Sequence, residues 1–251
     1  MTTNLHGILN LNKPSGMSSH DAVYAVRKIL PQTKVGHAGT LDPMASGVLL
    51  ICLGNATRVT EYLQEHTKIY RARVRLGIAT DTYDATGRVL SEKPLAATPK
   101  QIERAVRSFI GKLSQKPPAY SAIKQRGTPL YKLARRGVDV ETAPRNVEIY
   151  AIESLAFEPP DVEFTVRCSK GTYIRSLAHD LGEKLECGAH LAALTRLASG
   201  EFTLEQALTI DQLHEASARG VIATYLHPLD RALIQFQAAT LDPDMARQLL
   251  N

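Results

Sequence analysis

Apolar positions along the chain follow two periods. Val48-Leu49-Leu50-Ile51-Cys52-Leu53 is an unbroken aliphatic run bracketed by Gly47 and Gly54, the pattern of a strand buried on both faces. Tyr70 to Leu76 alternates strictly, with Tyr70, Ala72, Val74 and Leu76 on one side and Arg71, Arg73 and Arg75 on the other. That predicts a half-buried strand with a basic outer face, turning through Asp81–Val89 as a hairpin. Val162, Phe164, Val166 and Cys168 line one side of a further strand.

Between the strands the period changes to that of a helix. Ser18-Ser19-His20-Asp21 offers a cap for a helix with Ala22, Val23, Val26, Ile29 and Leu30 on one face. Thr98-Pro99 opens another, striped by Ile102, Ala105, Val106, Phe109 and Ile110 and ended by Gly111. After the Lys170-Gly171 turn, Ile174, Leu177, Ala178, Leu181 and Leu185 form a third stripe. Thr203–Ala218 reads as helical, and Asp242-Pro243 opens a last helix carrying Ala246, Leu249 and Leu250. Strands and helices do not alternate regularly. The expected class is therefore α+β, a mixed, largely antiparallel sheet flanked by helices, rather than a doubly wound fold.

Composition narrows the function classes. The longest aliphatic run is six residues, far short of the roughly 20 a membrane helix needs. The N-terminus has no basic start and apolar core, so no signal peptide is expected. Three cysteines, Cys52, Cys168 and Cys187, make neither a disulfide framework nor a CxxC zinc module. A cytoplasmic protein with reduced thiols is the expectation. Charge is uneven: residues 1–200 hold 27 Lys+Arg against 18 Asp+Glu, and residues 201–251 hold 3 against 7. A basic body of +9 ahead of a segment of −4 suggests a polyanionic partner. From Arg104 to Arg136 there are nine basic residues and no acid, with Tyr120 and Tyr131 among them. Cations interleaved with aromatic rings suit a partly unpaired RNA, and they suit a solvated basic face equally well.

Several catalytic patterns fail on inspection. Lys170-Gly171-Thr172 reverses the order a phosphate loop requires. Asp81, Asp84 and Gly87 do not have calcium-loop spacing. No HExxH and no G-x-S-x-G occurs. No metal site and no cofactor is expected. What stands out is Gly36-His37-Ala38-Gly39-Thr40-Leu41-Asp42-Pro43-Met44-Ala45-Ser46-Gly47, a glycine-rich loop just before the buried strand, where a scaffold positions functional groups. On spacing alone Asp42 is a turn or cap aspartate more readily than a catalyst.

Six segments, in order from about residue 6 to 200, change that balance. Asn10–Ser19 (NLNKPSGMSS) and the GHAGTLDPMASGVL stretch resemble the first two signature motifs of the bacterial tRNA pseudouridine-55 synthases, the TruB family. Tyr70–Gly77 resembles its third motif, and Gln115–Lys124 (QKPPAYSAIK) the insertion that marks this family. Cys168–Arg175 (CSKGTYIR) resembles its arginine motif, and Cys187–Leu197 the apolar motif that closes the pocket. The resemblance implies isomerisation of one uridine in the T-loop of tRNA, uridine 55, to pseudouridine: the base is cut from C1′, rotated and rejoined through C5, without cofactor or metal. It implies Asp42 as the essential aspartate, Arg175 as its partner, and Tyr70 as the ring stacking on the target base and a proton acceptor. It further implies His37 as the residue entering the T-loop, Tyr173 and Leu194 as pocket residues, and Lys13 as a lysine near the site.

Elementary chemistry is compatible with those roles. A uridine in a folded loop must be extruded first, at a cost of about a few kcal/mol. An ionised Asp42 in a dry pocket needs a fixed cation, and Arg175 at a helix start needs a carboxylate against the helix dipole. The competing reading is a tRNA-binding folding helper with chemistry secondary; the Asp42, Tyr70, Arg175 set favours the enzyme. Residues 1–230 are expected to form the catalytic domain, with the basic RNA-binding insertion at about 104–138. Residues 231–251 form a tail resembling the start of the family's C-terminal PUA domain. A monomer is expected.

Overall fold

The computed structural model describes residues 5–121, 124–125, 128–130, 142–237, 241–242, 245 and 247–248. Its frame is a ten-stranded sheet. In chain order the strands are β1 (Gly7–Lys13), β2 (Val35–Ala38), β3 (Ser46–Leu53), β4 (Lys68–Leu76), β7 (Gly111–Gln115), β10 (Arg145–Glu158), β11 (Asp161–Cys168), β12 (Ala189–Ser199), β13 (Phe202–Thr203) and β14 (Leu226–His227). The remaining strands form two separate pairs, β5 (Ile78–Thr80) with β6 (Val89–Glu92) and β8 (Lys124–Gln125) with β9 (Thr128–Pro129). The sheet runs β14-β1-β3-β12-β4-β11-β10-β7, with β2 added to β3 and β13 to β12. Every pairing is antiparallel except β3 with β12. The α+β expectation with a mixed, largely antiparallel sheet holds.

Helices α1 (Ser19–Ile29), α3 (Pro99–Arg107), α4 (Ile174–Lys184) and α5 (Ile210–Ala218) contribute to the larger core, with Val26, Ile102, Leu177 and Leu213 all buried there. The short α2 (Thr60–Glu65) sends Leu63 into a second core with Ile8, Val48, Leu50, Cys52 and Phe202. Leu49, Ile51 and Leu53 belong to the first core, so β3 is buried on both faces, as its unbroken aliphatic run predicts. In β4 only the Tyr70 face is buried, and Arg71 and Arg73 are exposed.

Local differences from expectation have local causes. The hairpin after residue 76 forms between β5 and β6, because β4 is already paired on both edges, by β11 and β12. Helix α3 begins as predicted, with a Thr98 capping box and Pro99 at its first turn, but ends at Arg107. Ile110 is 45% exposed and Gly111 starts β7 rather than ending the helix. Thr203–Ala218 is not one helix: a strand, a short 3-10 turn and α5, capped by Thr209, divide it. Of the basic tract, Arg126, Lys132, Arg135 and Arg136 lie outside the described residues, as does most of the helix expected after Asp242. Among the described residues no helix is long and apolar enough to cross a membrane.

The parallel pairing of β3 with β12 matters for function. It pairs Thr195 with Ser46 and Arg196 with Gly47, so the end of the glycine-rich loop abuts β12. Gly47 has φ of +103°, and a Cβ there would sit 2.3 Å from the Arg196 carbonyl oxygen. Gly47→Ala is therefore expected to destabilise the protein by about 1–3 kcal/mol or more, from strained backbone and overpacking together. A denaturant titration with an unchanged midpoint would disprove the close approach.

Candidate active site

The loop between β2 and β3 is fixed from three directions. Ser19, at the start of α1 and 3% exposed, donates to the Leu41 carbonyl at 2.9 Å and accepts from its N–H at 2.8 Å. Lys13 at the end of β1 is fully buried, and its ammonium donates to the carbonyls of Pro14, Met17 and Ala45 at 2.8, 2.6 and 2.6 Å. Arg196 of β12, 1% exposed, donates through Nε to Val48 O at 2.6 Å, through Nη2 to Gly39 O at 3.1 Å and through Nη1 to Thr40 O at 3.5 Å. Two buried cations thus hold the loop carbonyls of Gly39, Thr40 and Ala45 on both sides of Asp42, leaving it little freedom. Burial pushes the Lys13 ammonium down to about 8, a shift the Asp42 carboxylate resists.

Arg175 approaches from the first turn of α4. The start of that helix is held by Gln115, whose amide accepts from Tyr173 N–H at 2.8 Å and donates to Tyr173 O at 3.0 Å. The Arg175 side chain is 5% exposed and lies between two carboxylates. Its Nε is 2.8 Å from Asp42 Oδ2, an ion-pair contact too oblique for a directed hydrogen bond, while Nη2 donates to Asp42 Oδ1 at 3.2 Å. Its Nη1 lies 3.5 Å from Asp84 Oδ2 and donates to Thr82 O at 3.2 Å; Nη2 also donates to Tyr120 O at 2.9 Å. The two acids offset the unfavourable dipole of the helix start.

These groups face a cavity of about 570 Å³, within the size range of small-ligand pockets. Asp42, Tyr70, Tyr173, Arg175 and Leu194 all line it, together with Arg196 and Lys68. Asp42 keeps 32% of its side-chain surface open, yet its pKa is raised, because the protein around the pocket removes more hydration than Arg175 replaces. The Asp84 charge pushes in the same direction. Burial likewise raises the Tyr70 phenol, against the opposing effect of Arg196, so the hydroxyl stays protonated near neutral pH. Lys68, buried beneath the pocket, donates to the carbonyls of Gln64 and His66 at 2.5 Å each and is lowered to about 8 by burial.

Of the residues named from sequence, Lys13 and His37 are not on the pocket wall. Lys13 lies behind it, holding the loop. His37 is half-buried on β2, and its Nδ1 has no hydrogen-bond partner among the described residues. Burial, then the Arg196 and His20 charges, lower its pKa, which keeps the ring neutral. Sequence reasoning missed Asp84 and Arg196. Asp84 is 4% exposed and its Oδ1 accepts from Thr82 Oγ1 (2.7 Å), Thr86 Oγ1 (2.6 Å) and Thr86 N–H (3.0 Å). Testing that loop only for calcium hid this role. For Arg196 a signal existed: it shares a buried face with Leu194 and Ala198, where an unpaired charge would be costly. Among the described residues no group of three His, Cys, Asp or Glu side chains could hold a metal ion.

Solved structures share this sheet and its helices. The chain resembles a protein in the crystal structure of a Cbf5-Nop10-Gar1 complex, with TM-score 0.70 and 33% identity, covering 90% of this chain and 61% of that one. A second likeness, at TM-score 0.68 and 31% identity, is to a structure of an H/ACA RNP bound to a substrate RNA containing 2′-deoxyuridine, over 90% and 60% of the two chains. Family models describe residues 27–174 as the N-terminal domain of TruB family pseudouridylate synthase and residues 175–234 as the C-terminal domain of tRNA pseudouridylate synthase B. The curated tRNA pseudouridine synthase B of Geotalea uraniireducens is 52% identical over 82% of this chain and 67% of its own length. That of Clostridium kluyveri is 44% identical over 98% of this chain and 84% of its own. The chain belongs to the TruB family of pseudouridylate synthases.

Proposed function

We propose that this tRNA pseudouridine synthase acts on the T-loop, isomerising uridine 55 after extruding it into the pocket lined by Asp42, Tyr70 and Leu194. The observation that carries the reading is a carboxylate on a pinned loop, charge-paired with a buried arginine, at the wall of a cavity that also presents a tyrosine. Asp42 acts in ionised form, as nucleophile or as stabiliser of positive charge at C1′. Arg175 keeps it ionised and oriented, and Tyr70 and Leu194 hold the uracil between them. Tyr173 completes the wall and His37 enters the T-loop as a neutral ring. Lys13 acts through the loop it holds. No cofactor takes part in this scheme.

The tRNA is gripped by the basic insertion at about 104–138 on a catalytic domain of residues 1–230. That extent is supported by β14, at Leu226–His227, being part of the main sheet. A monomer in the cytoplasm is proposed, and three buried, unpaired thiols suit a reducing compartment. The direct test is tritium release from C5-labelled uridine in a T-stem-loop transcript. Release is expected from that transcript and not from one with cytidine at position 55; no release from the first would overturn the assignment.

Tyr70→Phe separates stacking from proton transfer. It keeps the ring and the strand register and removes only the hydroxyl. Because the phenol stays protonated, its expected role is a relay that accepts at oxygen while donating its own hydrogen. Single-turnover rates should fall by about 10²–10⁴ with tRNA affinity nearly unchanged. Rates equal to wild type would leave stacking as the residue's function.

A further inference from the structure

The loop between β5 and β6 supplies two of the groups that hold Arg175, the Thr82 carbonyl and the Asp84 carboxylate. Between them stands Tyr83, with φ of +64°. A bulky side chain in the left-handed region is uncommon and costs about 1–3 kcal/mol, so surrounding contacts must hold it there. Those contacts are visible. Tyr83 O accepts from Leu191 N–H at 2.9 Å and Ala85 N–H donates to Leu191 O at 3.0 Å, tying the loop to β12. The Tyr83 ring stacks on His179, with centroids 3.9 Å apart and planes within 7°. His179 is four residues beyond Arg175 on α4, hence on the same side of that helix one turn along.

We infer that the Tyr83–His179 stack is a brace that positions Arg175, and through it Asp42, by clamping the Asp84 loop onto the helix that carries the arginine. The left-handed turn at Tyr83 changes the chain direction, so that the groups on either side of it, Thr82 O and Asp84 Oδ2, converge on one guanidinium nitrogen. The stack spans the same two elements as the Asp84–Arg175 pair and restrains their separation. Neither ring lines the active-site cavity, so both are positioning residues rather than catalytic ones. The inference rests on Asp42 being the catalytic carboxylate.

The test uses the full chain and a T-stem-loop transcript. Tyr83→Asn removes the ring but keeps a residue that tolerates the left-handed backbone. His179→Ala removes the other ring and leaves the strained loop untouched. Each should lower the single-turnover rate at saturating RNA by about ten- to a hundredfold, the scale of a small misplacement of reacting groups. RNA affinity should stay within about twofold, since no RNA-facing charge changes. The double variant should be little worse than either single one, because both remove one contact. Tyr83→Phe should retain the wild-type rate. The acid limb of the pH–rate profile should move upward in Tyr83→Asn, because Asp42, which faces Arg175, Asp84 and Lys13, loses part of its ordered cation. A merely structural stack would lower the melting temperature and leave that limb in place. Wild-type rate and profile in Tyr83→Asn, or fully additive losses in the double variant, overturn the brace. If Asp42→Asn is inactive while Tyr83→Asn is normal, only the brace fails; if Asp42→Asn is active, the assignment beneath it fails.

Discussion

Asp42→Asn should abolish pseudouridine formation while leaving the fold and tRNA binding close to wild type. The replacement is nearly isosteric and removes the charge. The fold should survive because Arg175 does not become an orphaned buried cation. Asp84 Oδ2 and the carbonyls of Thr82 and Tyr120 still surround it. Binding should survive because no cation is altered. The loss of rate should exceed that of any other single substitution, since neither a nucleophile nor a fixed negative charge at C1′ remains. Single-turnover assays on a T-stem-loop transcript, with a filter-binding titration beside them, measure both halves. A comparable rate in the variant would refute the assignment. The same carboxylate sets the acid limb of the wild-type profile. Its pKa is raised chiefly by burial, so activity should begin to fall at a pH above the ordinary aspartate value of about 3.9.

Arg175→Met should be nearly as damaging to catalysis and far more damaging to stability. The substitution keeps an apolar stem but strips the cation from two acids at once. Breaking a buried charge pair costs about 3–5 kcal/mol, and here Asp42 and Asp84 would also repel one another. The sign with pH can be worked out. Asp42 is already raised by burial, and with Arg175 gone its folded-state pKa should lie further above the unfolded one. The destabilisation from that group is then fully present above its raised pKa and diminishes as pH falls through it and a proton neutralises the carboxylate. Denaturant midpoints for wild type and variant should therefore converge on acidification and separate toward neutral pH. A constant gap across that range would mean that Arg175 contributes packing rather than charge. In the activity assay the acid limb should move upward as well, because Asp42 loses the cation that favours its ionised form.

Much of the architecture was legible in the chain because it depends on short-range patterns. The aliphatic run 48–53 could bury both faces only inside a sheet, and it does. The alternation from Tyr70 to Leu76 required one wet face and one dry one. Ser18 and Thr98 read as caps from their own neighbourhoods, and both form capping boxes. The elements read wrongly were those whose limits another strand sets: α3 stops at Arg107, and the hairpin shifts to β5–β6 because β4 has no free edge.

The site divides in the same way. Sequence by itself determined which residue types stand where: an aspartate in a glycine-rich loop before a buried strand, a tyrosine at the start of an alternating one, an arginine opening a helix. It could not determine which charges meet. Asp42, Asp84 and Arg175 are separated by up to 133 residues, and only the parallel docking of β3 on β12 and the folding of the 81–87 loop over α4 bring them to one point. That is also why Lys13 and Arg196 declared their roles only in three dimensions. A lysine or arginine is ordinarily a surface residue. Arg196 is buried because tertiary structure offers it three distant carbonyl oxygens in place of water, and Lys13 because the Ala45 carbonyl, 32 residues away, joins those of its neighbours Pro14 and Met17.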